Sequence, residues 1–137
     1  MDKSMNEEQA HAAQKEDWDR LRDLESRLHR GEPLELTDTV RELLKRGAAQ
    51  VALSSAVAER GLRSPAEAAA LLGEIRRRIR EGSARVGQAM LDTAVLSVEG
   101  NTRGARQALK AMLAEEEVPY YRGLLDALLQ SVEPLKS

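Results

Sequence analysis

The stretch that decides the fold is Ser64–Gly100, SPAEAAALLGEIRRRIREGSARVGQAMLDTAVLSVEG. It opens on a strong helix-start signal: Ser64 as N-cap, Pro65 at the first helical position and Glu67 to close a capping box. Ala68, Leu71, Leu72, Ile75 and Ile79 then recur at helical spacing and form one buried stripe. Gly82-Ser83 is expected to interrupt this helix, with Ser83 capping a further one to about Val98. In that second helix Arg85, Gln88, Asp92 and Glu99 fall on one narrow stripe. Val86, Ala89, Met90, Leu91, Ala94, Val95, Leu96 and Val98 fill the rest of its circumference. A helix apolar on most sides is covered on most sides, so this one is placed at the centre of the fold, with Leu91 as a core residue.

Working outward, the same periodicity fills the flanks. Trp18, Leu21, Leu24 or Glu25, and Leu28 predict a first helix over about Asp17–Arg30, with Asp17 as N-cap and Gly31 past its end. Pro33 biases Glu32 away from helix. Thr37 caps a second helix whose apolar face is Val40, Leu43, Leu44, Ala48 and Val51, running to about Ala52 with Gly47 as a weak point. Ser54 or Ser55 caps a short helix ending at Gly61. Gly100-Asn101 turns the chain into a helix over about Thr102–Glu116, with Ala105, Ala108, Leu109 and Met112 inward. Pro119 starts a last helix that buries Tyr121 or Tyr120, Leu124, Leu125, Leu128, Leu129 and Val132, and Pro134 ends it. Leu125 is expected in the core.

Composition agrees with an all-α chain. Of 137 residues, 42% are hydrophobic but only 2% aromatic, with no Phe, so the core must be aliphatic. Leu, Ala, Glu and Arg abound while Ile, Thr and Val are scarce, which favours helices. The length suits one domain, able to bury roughly two thirds of its unfolded surface. The expectation is a compact stack or irregular bundle of six to seven helices over residues 17–133. Residues 1–16 form a polar, disordered lead-in without the apolar run of a secretory signal, and residues 134–137 a frayed C-terminus. No stretch approaches the ~18 apolar residues of a membrane span. A cytoplasmic chain, monomeric or weakly self-associating, is expected.

The absence of Cys removes disulfides, thiol nucleophiles and thiolate zinc sites. His11 lies in the lead-in and His29 in the last turn of the first helix, and they lack metal-ligand spacing. Gly100–Gly104 has no Lys-Ser/Thr of a phosphate loop and follows a helix. Asp17 and Asp19 read as helix-start acids beside Trp18, and Glu115-Glu116-Glu117 as a solvated helix end. No catalytic set, metal site or cofactor is expected, so the chain is not read as an enzyme.

One cluster stands out. Residues 76 to 110 hold eight basic residues against three acidic ones, an excess of +5, while the net charge of −2 leaves −7 on the remaining 102. Taking Ile75 as reference, Arg76, Arg77 and Arg80 fall on an outer face and Arg78 on the flank of the apolar stripe; Arg103, Arg106 and Lys110 share a second face. Arg76, Arg77, Arg80, Arg103, Arg106 and Lys110 are the candidate interaction surface. One reading is a phosphate-binding face for nucleic acid. The other is a structural face whose field is cancelled by Glu74–Arg78 and Arg77–Glu81 pairs and by acids such as Asp23, Glu25 or Asp126. No interleaved aromatics offer base stacking, and the second reading is preferred.

Two resemblances add to this. The region 100–119 resembles one tetratricopeptide hairpin: Gly100-Asn101 at the turn, Ala105 at the small contact, Leu109 and Met112 inward, and Pro119 near the close, followed by a capping helix. From about Trp18 to Leu128 the chain also resembles the bacterial DUSAM domain. The residues that carry this are Trp18, Leu21 and Leu24; Gly31–Thr37; Val40-Arg41 with Leu43-Leu44; Val51–Ser54; Ile75–Ser83; Gly104-Ala105-Arg106; and Val118–Arg122. The resemblance implies a helical domain in many paralogous copies, with no catalytic residue to carry over. The expected role is a non-enzymatic protein-interaction or regulatory module with an unidentified protein partner. The alternative is a nucleic-acid-associated module using the arginine-rich helix 75–80.

Overall fold

In a computed structural model the chain is all-α, with six helices and no strand among the described residues, 3–132. It divides into two compact units, Met1–Arg77 and Arg78–Ser137.

Unit 1 holds α1 (Lys3–His29), α2 (Asp38–Gln50), α3 (Ser55–Gly61) and the first part of α4 (Pro65–Val98). The starts of α2, α3 and α4 are capped as the residue types require. Thr37 Oγ1 accepts from Val40 N at 3.2 Å, Ser54 Oγ from Val57 N at 3.2 Å, and Ser64 Oγ from Glu67 N at 3.1 Å. Gly31, at φ +87°, ends α1 with Glu32 N donating to Arg27 O. Arg41 pins the connector before α2 and the one between α3 and α4 by donating to Leu36 O and Leu62 O.

The core of unit 1 is Leu21, Leu43, Leu44, Ala48, Val51, Leu71, Leu72 and Ile75, all buried. α2 runs unbroken through Gly47, and the reason is packing. A Cβ there would lie 2.8 Å from Leu21 Cδ1 and 3.5 Å from Ile75, so glycine lets α2 approach both neighbours. The lead-in expected over residues 1–16 is helical from Lys3, and the helix therefore does not start at Asp17. Glu, Gln, Ala and Lys dominate Asn6–Glu16, and these residue types hold a helix at little propensity cost without a buried face.

Unit 2 holds the rest of α4, α5 (Thr102–Glu115) and α6 (Pro119–Ser131). Gly100 at φ +74° and Asn101, whose Oδ1 accepts from Gly104 N at 2.8 Å, make the expected turn. Pro119 begins α6. Ala89, Leu109 and Leu125 form the centre, and Val86, Met112, Leu113, Leu128, Leu129 and Val132 pack on it. The break expected at Gly82-Ser83 does not occur, because α4 is one helix of 34 residues. Gly82 serves packing instead: a Cβ there would sit 2.1 Å from Tyr121 Cδ2, so the Tyr121 ring lies against bare α4 backbone. The frayed end expected at residues 134–137 lies outside the described residues.

The helix expected at the centre of the fold is not there. On α4 after Ser83, only Ala89 and Thr93 are buried. Met90 is 57% exposed, Leu91 65%, Val95 57% and Val98 90%. α5 and α6 cover one side of this segment, and its apolar circumference is wider than two helices can hide.

Candidate functional site

The six candidate cations do not form one kind of surface. Arg76 and Arg77 belong to unit 1; Arg80, Arg103, Arg106 and Lys110 belong to unit 2. Arg76, expected to face outward, is buried, and its Nε donates to Glu25 Oε1 at 3.1 Å with both side chains about nine-tenths hidden. The physical reason is that α1 lies across this turn of α4, on the flank of the Ile75 stripe, and Glu25 supplies the countercharge. Arg77 is exposed and donates from Nε to Glu74 Oε1 at 2.9 Å. Arg80 is exposed.

The neighbouring arginines are held in the same way. Arg78 pairs with Glu117 at 2.7 Å, and Arg85 Nη1 donates to Glu116 Oε1 at 2.6 Å. The acid run at the end of α5 is therefore not simply solvated. Glu116 is 3% exposed, and its second oxygen accepts from Val118 N at 2.9 Å. Arg122 Nη1 donates to the carbonyls of Leu113 and Glu116 and satisfies the open end of α5. These charges fix the α5–α6 corner.

Arg103, Arg106 and Lys110 do share a face. With Thr102 and Gln107 they line a surface groove on α5. Arg103 and Lys110 are exposed and Arg106 half-buried. Arg103 and Lys110 form no ion pair with the described residues.

A polar network of unit 1 was missed by sequence reading. Asp17 is no N-cap; it lies mid-helix, buried. Its carboxylate accepts from Arg46 Nε at 3.0 Å, Arg46 Nη2 at 3.1 Å and Gln50 Nε2 at 3.0 Å, and Gln50 Oε1 accepts from Trp18 Nε1 at 2.9 Å. Burial pushes the Asp17 carboxyl up. The hydrogen bonds from Arg46 and Gln50 and the charges of Arg46 and Arg20 outweigh that and hold it below the usual carboxylate range. The hydrogen bond to Asp17 raises the Arg46 guanidinium in turn. The signal was present in the spacing: Asp17 stands four residues before Leu21, on the stripe that continues to Leu24 and Leu28.

The other feature is the outer face of α4 in unit 2. Ala84, Gly87, Leu91, Ala94 and Val98 recur every three or four residues, with Met90 and Val95 beside them, and all seven are exposed. Charged residues are absent from this stripe. It offers non-directional apolar contact and no general acid, base or ligand.

No group of three or more His, Cys, Asp or Glu is placed to hold a metal ion among the described residues, and no helix of the described residues is long and apolar enough to cross a membrane. The fold and site thus define an all-α domain with a spent arginine cluster and an open apolar helix face. Residues 16–132 match the family described as Protein of unknown function (DUF2379), and the chain belongs to that family. No curated protein and no solved structure matches it.

Proposed function

We propose that the chain is a non-enzymatic protein-interaction or regulatory helical module, with the DUSAM-like and tetratricopeptide-like character expected from its sequence. The observation that carries this reading is the open apolar stripe of α4. Large apolar side chains exposed along three turns of one helix are the surface a partner helix recognises. The arginines that suggested another role support the reading by their pairing. Arg76, Arg77, Arg78 and Arg85 each have a glutamate partner within the chain.

A second reading, nucleic-acid association, is favoured by one specific observation: the Arg103, Arg106 and Lys110 groove on α5. Titration of duplex and single-stranded DNA and RNA at low salt separates the two. The module reading predicts no micromolar binding. Micromolar binding that weakens with salt and vanishes when Arg103, Arg106 and Lys110 are all changed to Ala overturns it in favour of phosphate recognition.

A further inference from the structure

We propose that the outer face of α4 pairs with the same face of a second copy of this chain, antiparallel, about a two-fold axis at Leu91. This names the partner for the interaction-module reading and rests on it.

The seven residues of the stripe expose on the order of 500 Å² of apolar surface, at the upper end of what a lone soluble protein carries in one patch. A standard interface takes about 800 Å² per partner. The stripe supplies most of that, and its polar margin, Ser83 and Gln88 among it, supplies the remainder.

The stripe is also self-complementary. The stripe runs from Ala84 to Val98, about 22 Å of helix at 1.5 Å per residue, and Leu91 is its midpoint. A two-fold axis there sets Ala84 against Val98 and Gly87 against Ala94 of the other copy, with Val95 at the level of Gly87 on the opposite flank. The N-terminal end carries the small Ala84 and Gly87 and the C-terminal end the branched Val95 and Val98, so the small end of one copy meets the bulky end of the other. A C2 interface requires a patch of this kind.

Charge favours the same pairing. Within the stripe there is none to be desolvated. Arg80 bounds it at the N-terminal end and Glu99 at the C-terminal end. Antiparallel pairing brings these unlike charges within one helical turn of each other; parallel pairing would stack like on like.

Sedimentation equilibrium of the full chain, from about 1 to about 200 μM, is the test. The mass should rise from 15.1 kDa toward the dimer, with a midpoint in the micromolar range. Leu91→Glu and Leu91→Lys each set like charges face to face on the axis. Each should be folded by circular dichroism and monomeric throughout, and their equimolar mixture should regain the dimer. Wild-type chain that stays monomeric overturns the proposal, as does a dimer undiminished in Leu91→Glu. Two monomeric variants whose mixture stays monomeric overturn the two-fold arrangement. The nucleic-acid titration is independent of these outcomes: a monomer that binds no nucleic acid removes self-pairing and leaves the module reading standing.

Discussion

Gly82→Ala is the substitution whose sign the structure reverses. In an exposed helix interior, alanine is favoured over glycine by about 1 kcal/mol. Gly82 lies well inside α4, so propensity alone predicts a gain. The new Cβ would meet Tyr121 at 2.1 Å from Cδ2, 2.6 Å from Cε2 and 3.0 Å from Cγ. Carbon atoms rest about 3.5–4.0 Å apart, so the ring must withdraw by roughly 1.5 Å. Tyr121 is 7% exposed, and nearby Leu125 is fully buried, so the ring has no free space to enter. Overpacking costs about 1–3 kcal/mol, and displacing a buried ring puts this case at the upper end. The net expectation is a loss of about 1–2 kcal/mol in a denaturant titration. Gly73→Ala is the control on the same helix: nothing lies within 4 Å of its Cβ position, and it should gain about 0.5–1 kcal/mol. In a Tyr121→Ala background Gly82→Ala should also become stabilising, giving a coupling of about 2–3 kcal/mol. A Gly82→Ala variant as stable as Gly73→Ala would refute the packing of Tyr121 on α4.

Other substitutions probe other contacts. Leu125→Ala should cost about 2–5 kcal/mol by urea titration, since the side chain is fully buried at the centre of unit 2. Ala52 has φ +64° and closes α2, with Leu53 N donating to Ala48 O; Ala52→Gly should relieve left-handed strain and raise stability by about 0.5–1 kcal/mol, read as a higher melting temperature. Asp17→Asn should cost about 1–2 kcal/mol at pH 7, where the native carboxylate gains from Arg46 and Gln50. Because folding lowers the Asp17 pKa, its contribution is present above the unfolded value of about 3.9 and is lost as pH falls through the lower folded value. The gap between wild type and Asp17→Asn should therefore narrow steadily below about pH 4 in denaturant titrations, and a constant gap down to pH 2 would contradict the network.

Helix identity was legible almost everywhere, because caps and spacing are local. Thr37, Ser54, Asn101 and Pro119 mark helix starts where expected. Gly82 and Gly47 were not legible as contacts. A glycine that weakens a helix and one that admits a neighbouring side chain look alike until the neighbour is known. The same limit governed α4. The apolar residues Met90, Leu91, Val95 and Val98 were read as core because burial is the common fate of such a face. How many helices are available to cover it is a property of the fold, and unit 2 supplies only α5 and α6. Of the candidate cations, Arg103, Arg106 and Lys110 lie along one groove of α5. Arg76 was misplaced, because its countercharge, Glu25, is 51 residues away in the chain. Glu25 was nevertheless among the acids expected to cancel that cluster.

The central claim is an inversion on α4: an arginine of its basic cluster holds the fold, while its most apolar segment is open surface. Denaturant titration of Arg76→Ala beside Leu91→Ala tests it most directly, at about 1 μM, below the micromolar midpoint expected for self-pairing. Arg76→Ala removes an ion partner of the largely hidden Glu25 and should lose about 3 kcal/mol. Leu91→Ala should stay within about 0.5 kcal/mol of wild type, as surface changes do. A Leu91→Ala loss of about 2 kcal/mol or more, with Arg76→Ala near wild type, would contradict the account.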